Sequence, residues 1–122
     1  MYEIIYNKLS QKDYDNLEGS QKIFVNKGLA KIQQDGMAVG EALHGNLSGC
    51  NKLKNKKLGL RIVFTQRKRG IEIIEIVAIG KRSDKEVYVD AEYRLTSQKK
   101  QVEAVIEEII NIKKDHGLTH SL

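Results

Sequence analysis

Residues 51–79 read NKLKNKKLGLRIVFTQRKRGIEIIEIVAI, and this stretch decides the fold. It holds three runs of strand character. In Asn51–Asn55, Lys52 and Lys54 alternate with Leu53, so two lysines take one side and the leucine the other. Leu60–Gln66 (LRIVFTQ) is rich in β-branched and apolar residues, and Ile71–Ile79 (IEIIEIVAI) is the most apolar run of the chain. Gly70 closes a hairpin between the last two. Links this short favour antiparallel neighbours. The lysine-bearing face is expected to be the wet face of the sheet.

Upstream, Tyr2–Tyr6 (YEIIY) reads as a short strand. Ser10 is placed to cap a first helix, with Asp13 in its first turn. After Gly19-Ser20 a second helix is expected from about Gln21 to Gln34, with Val25, Leu29 and Ile32 on one face and Asp35-Gly36 ending it. The stretch from Gly36 to Cys50 is glycine-rich, with Leu43 and Leu47 as its anchors into the core. Proline is absent, so glycine, asparagine and aspartate supply the turns.

Downstream, Lys81–Asp84 reads as a turn and Lys85 to about Leu95 as a short helix. Ser97 is then expected to cap a long helix, Gln98 to Lys114. Val102, Val105, Ile106, Ile109 and Ile110 form its apolar stripe. Glu103, Glu107 and Glu108 fill its first half and Lys113 and Lys114 its end, as the helix dipole favours. Gly117 is expected to stop it and LTHSL to fray. The class is therefore α+β: an N-terminal strand and helical hairpin, then an antiparallel sheet, with an extra C-terminal helix. All 122 residues form one domain, with a core of about 1–95 and a helix of about 98–115.

Composition narrows the functional classes. Hydrophobic residues make up 40% and charged residues 30%, as in ordinary globular domains. No apolar run approaches the roughly 18 residues of a membrane span. No signal peptide opens the chain, and one cysteine makes no internal disulfide, so a cytoplasmic protein is expected. The net charge is +5. Between Ala42 and Ile71 there is no acidic residue but there are eight basic ones: Lys52, Lys54, Lys56, Lys57, Arg61, Arg67, Lys68 and Arg69. A cationic segment of this kind is the footprint of a polyanion partner, nucleic acid first.

Several chemistries are excluded by residue type. His44, His116 and His120 come with no evident third ligand, so no metal site is expected. Cys50 lacks a cysteine partner and reads as a small buried hydrophobe. No nucleophile elbow or phosphate-binding P-loop appears. Glu72 and Glu75 fall on opposite faces of a strand and make no acid/base pair.

Three blocks remain: L-x-G-x-L-x-G-x-x-K-L-K over residues 43–54, G-L-R-I-V-F over 59–64, and I-G-K-R-x-x-x-x-V-Y over 79–88. In order and spacing this pattern resembles the RelE/ParE superfamily of type II toxin–antitoxin toxins, and within it the RelE-type messenger-RNA endoribonucleases. The resemblance covers most of Tyr2 to Leu95, and the last helix extends beyond the short family forms. It implies a catalytic set of Lys52, Lys54, Arg61, Arg82 and Tyr88, with no metal and no cofactor. Lys56, Lys57, Arg67, Lys68, Arg69 and Lys81 are then RNA-contacting cations.

Those residue types suit the implied reaction. Metal-free RNA cleavage needs the 2′-hydroxyl to lose a proton and attack the adjacent phosphorus while the 5′-oxygen leaves. Cations placed where negative charge grows lower the barrier by several kcal/mol. A lysine crowded by other cations gives up its proton more readily, as a base requires. Lys54 or Lys52 takes that role, Arg61 and Arg82 the phosphate and leaving group, and Tyr88 the orientation of substrate. The chain lacks an obvious His or Glu acid/base partner of the kind some related toxins use. The implied partners are messenger RNA, the ribosomal A site of the 30S subunit and a cognate antitoxin offering an acidic segment or helix, with the toxin alone a monomer. The terminal helix is expected to pack on the toxin's own sheet or first helices rather than serve as a docking surface. The main rival is a ParE-like toxin that poisons DNA gyrase without cleaving anything. A non-toxic nucleic-acid-binding regulator ranks last, because aromatic content is only 6% and no helix-turn-helix or RNA-binding strand signature appears.

Overall fold

The computed structural model describes residues 1–81 and 86–121, with side chains followed to residue 115. In chain order the elements are β1 (Glu3–Tyr6), α1 (Lys8–Asp15), α2 (Gly19–Asp35), β2 (Glu41–Ala42), β3 (Cys50–Asn55), β4 (Leu60–Lys68), β5 (Glu72–Lys81), α3 (Glu86–Ser97) and α4 (Lys99–Ser121). The sheet runs β1-β5-β4-β3-β2. Strands β2 to β5 are antiparallel, as the short links require. β1 instead lies parallel to β5, pairing Glu3 with Ile73 and Tyr6 with Ile76. The path between them runs through α1, α2 and the other three strands, longer than the dozen or so residues a parallel pair needs.

The first helix starts earlier than Ser10. Asn7 is its cap: its Oδ1 accepts from the Ser10 N–H at 2.8 Å, and the Asn7 N–H donates to Ser10 Oγ at 3.0 Å. Ser10 is thus the answering half of a capping box. The shift takes Asp13 out of the first turn and turns it toward β5.

One sheet face carries Leu60, Ile62, Phe64, Ile74, Ile76 and Ile79 and is covered by Val25 and Ile32 of α2. Leu53 packs on that side beside Gly28, where an added Cβ would lie 2.8 Å from its Cδ2. The other face is shared by the two C-terminal helices. Val87 and Ala91 of α3 cover Val63, Val77 and Ala78, while Val102 and Ile106 of α4 cover Ile5 and Ile73. The junction differs from expectation. Ser97 is the last residue of α3 rather than a cap, and Gln98 alone separates the helices. Hydrogen bonds Gln98 N–H to Arg94 O and Val102 N–H to Gln98 O carry helical spacing across it. Nor does Gly117 stop α4, whose backbone continues to Ser121.

Val63 pairs with Ala78 but Phe64 with Ile76, so Val77 is the extra residue of a β-bulge. β1 ends opposite Ile76, which leaves the outer edge of β5 without a strand from Val77 onward. Side chains satisfy that backbone instead. Val77 O accepts from Asn7 Nδ2 at 3.1 Å and from an Arg94 guanidinium N–H at 3.2 Å. The Ile79 N–H donates to Asp13 Oδ2 at 3.0 Å, and Arg94 donates to that oxygen at 2.5 Å. α1 and α3 are thereby fixed to the same strand end.

Candidate functional site

The register brings the cations together. Lys54 of β3 lies opposite Arg61 of β4, and Arg61 opposite Gly80 of β5; Lys52 lies opposite Val63. Lys52, Lys54 and Arg61 therefore share one face, the face on which α3 sits. Like charges directly opposite one another on a sheet are unfavourable. Lys54 and Arg61 are so placed nonetheless.

Arg61 is only 4% exposed. One of its terminal N–H groups donates to its neighbour's carbonyl, Leu60 O, at 3.1 Å. Its Nε has no hydrogen-bond partner, and no carboxylate pairs with it among the described residues. A buried guanidinium left this way carries a large desolvation cost. A guanidinium is a fork of donors that an anionic oxygen could satisfy.

Tyr88, half-buried on the first turns of α3, faces the lysines. The Lys52 ammonium stands 5.9 Å from its ring centroid, a cation–π contact. Arg82 lies outside the described residues. Lys81, at the end of β5 and two positions from Ile79, is exposed; Lys56 and Lys57 are exposed in the β3–β4 turn.

The hairpin tip is less cationic than its sequence. Arg67 donates through Nε and a terminal nitrogen to Glu75 Oε1, at 2.9 and 2.7 Å. Glu75 is fully buried and also accepts from Asn7 Nδ2 at 3.2 Å. Arg69 is paired with Glu107 of α4. Only Lys68 of that trio shows no ion pair among the described residues.

Sequence reasoning missed one acid. Glu41 of β2 lies opposite Lys52, and its Oε1 is 3.1 Å from the Lys54 ammonium. That hydrogen bond first, then the charge of Lys54, holds the Glu41 carboxyl below its ordinary range. Gly40 delivers it: its φ is +79°, and a Cβ there would fall 2.2 Å from Lys52 O. The signal lay in the glycine-rich stretch, where a hairpin between residues 41–42 and 51–52 places Glu41 beside the lysines. Cys50 is buried, and its thiol is pushed up chiefly by desolvation. Among the described residues no three His, Cys, Asp or Glu side chains could hold a metal ion, and no helix is long and apolar enough to cross a membrane.

Neither a family model nor a curated protein matches the sequence. Solved structures do match the fold. A double arginine-to-alanine variant of Escherichia coli toxin RelE in the free state aligns with TM-score 0.64 and 22% identity, over 76% of this chain and 96% of that one. This is the RelE toxin fold. The intact Escherichia coli RelBE toxin–antitoxin complex gives TM-score 0.57 and 19% identity, over 66% and 96%. A RelBE toxin–antitoxin complex from Mycobacterium tuberculosis gives 0.55 and 15%, over 66% and 98%. The RelE fold thus takes in nearly the whole of those chains and leaves a quarter to a third of this one outside the match.

Proposed function

We propose that this chain is the toxin of a type II toxin–antitoxin pair, an endoribonuclease that cleaves messenger RNA on the ribosome without metal and so inhibits translation. The observation that carries the reading is Arg61: a buried guanidinium with an unused N–H, on one face with Lys52, Lys54 and Tyr88. The RelE fold supports it.

In this reading a phosphodiester lies across the lysines with its non-bridging oxygens toward Arg61. As the phosphate draws the Lys54 ammonium toward itself, Glu41 loses the hydrogen bond that holds its carboxyl low and becomes a stronger base. The carboxylate takes the 2′-hydroxyl proton. The 2′-oxygen forms a bond to phosphorus, and the bond to the 5′-oxygen breaks. Lys52 protonates that oxygen as it leaves, and Arg82 stabilises its developing charge. Tyr88 orients the adjoining base or ribose. Lys56, Lys57, Lys68 and Lys81 contact flanking phosphates. An acidic antitoxin segment silences the site by occupying the same cations.

The test is a translation reaction programmed with a reporter transcript and read by primer extension. New 5′ ends are expected within the translated frame. Arg61→Ala should reduce them by about a hundred- to a thousandfold, as loss of one transition-state donor does. Intact transcript with the wild-type chain would overturn the enzymatic reading, and growth arrest with no cut would leave a non-enzymatic toxin.

A further inference from the structure

On the α2 side of the sheet, away from Arg61, lies a groove of about 500 Å³. α2 lines it with Ile23, Phe24 and Lys27, and the β3–β4 turn with Asn55, Lys57 and Leu58. Ile23 is 58% exposed, and Phe24 and Leu58 are half-buried, so the floor is apolar and open. No acidic side chain lines it. Lys27 and Lys57 stand on opposite walls, both exposed, and Lys56 adjoins them in the turn.

We propose that this groove docks an acidic segment of a partner protein, its apolar side chains on Ile23, Phe24 and Leu58 and its carboxylates against Lys27 and Lys57. The proposal deepens the partner half of the function above and rests on it. The two features of the groove select the occupant together. A floor of Ile23, Leu58 and the half-buried Phe24 offers no hydrogen-bond donor to a phosphate backbone, which disfavours RNA. A cationic rim disfavours a second copy of this chain, whose net charge is +5 and whose groove would carry the same lysines. The chain's own terminal helix is held on the opposite sheet face by Val102 and Ile106. An acidic amphipathic segment satisfies both floor and rim.

The groove also continues toward the cationic cluster. Lys56 and Lys57 follow Lys54 directly in the chain, so a segment passing over the β3–β4 turn moves from Ile23 on one face to Lys54 and Arg61 on the other. The partner is therefore anchored away from the catalytic residues, in a groove that shares only Lys57 with the flanking phosphate contacts.

The test uses isotope-labelled full-length chain and a blocked 15-residue synthetic peptide with leucines and glutamates at helical spacing. Backbone amide shifts are expected to saturate and to centre on residues 20–27 and 55–58. Ile23→Ser and Lys27→Glu, both at exposed helix positions, should each weaken binding by about tenfold. The proposal fails if a leucine–lysine peptide of the same pattern shifts those amides equally. It also fails if the acidic peptide shifts another face, or if a 12-nucleotide RNA shifts the Ile23 and Phe24 amides as the peptide does. Binding is read without any cleavage. A chain that binds the peptide but cuts no transcript would sink the proposed activity alone, and one that cuts but leaves the groove empty would sink this inference alone.

Discussion

The Glu41 carboxylate lies 3.1 Å from the Lys54 ammonium, and after Glu41 the chain has no further acid until Glu72. One carboxylate therefore stands at the border of a long cationic segment and is folded back onto it. Its partner shifts its titration, and the direction has a consequence. The folded carboxyl is held below its ordinary value while the unfolded one is not. The pair's stabilisation is present above the ordinary carboxylate range and is lost as pH falls through the folded value. Glu41 is exposed, so the effect on stability is small. The midpoint itself is the better measurement. Carboxyl-detected NMR should place Glu41 below the ordinary glutamate value, and Lys54→Met should raise it toward that value. An unchanged midpoint in Lys54→Met would mean that the pair does not persist in solution.

Gly40→Ala should separate Glu41 from Lys54. At φ +79° an alanine is strained, and its Cβ would meet Lys52 O at 2.2 Å, so β2 must leave β3. β2 is only two residues long, so the rest of the sheet should hold and the melting temperature should fall by a few degrees. Transcript cleavage should drop about as far as in Glu41→Gln, roughly a hundredfold for loss of a general base. Full cleavage by a folded Gly40→Ala chain would remove Glu41 from the reaction.

Two buried arginines should behave oppositely. Arg61 has no carboxylate among the described residues, so Arg61→Ala strands no charge and should leave the melting temperature near wild type or above it. Arg94 donates to Asp13 and to Val77 O at the bulge, so Arg94→Ala leaves a carboxylate and a carbonyl short of partners. That loss should cost about 3 kcal/mol or more, visible in urea denaturation. Equal destabilisation by the two substitutions would mean that Arg61 serves structure.

The sheet core was legible because Asn51–Ile79 carries its periodicity and its short links locally. Lys52 and Lys54 on one side and Leu53 on the other followed from alternation alone. What was not legible depends on long-range pairing. The parallel seat of β1 beside β5 joins residues about seventy positions apart, as do the contacts of Asn7 and Asp13 with the bulge at Val77. Arg67 and Arg69 looked like free cations because Glu75 and Glu107 reach them only through the register and through α4. Glu41 stands one residue before the acid-free segment that begins at Ala42. Ser10 has the chemistry of a cap, but Asn7, three residues earlier, has it too and takes the position, leaving Ser10 to answer from the first turn. Arg82 carries the one catalytic assignment that falls outside the described residues.

The terminal helix is core. Val102 and Ile106 are each 1% exposed against Ile5 and Ile73, and Val105, Ile109 and Ile110 are half-buried around them. Deleting Lys99 to Leu122 removes two fully buried side chains, about 1.5–3 kcal/mol each, before the half-buried ones are counted. Natural domains have about 5–15 kcal/mol in total. The truncated chain should therefore be insoluble or melt far below the intact one. The ion pairs of the same helix should matter much less. Arg69–Glu107 and Lys113–Glu3 are solvent-exposed, and such pairs contribute about 0–1 kcal/mol. Glu107→Gln should thus shift the melting temperature by no more than a few degrees, whereas Ile106→Ala should cost about 2–5 kcal/mol. A truncated chain that melts with the intact one, or Glu107→Gln matching Ile106→Ala, would show that α4 is a surface appendage held by charge.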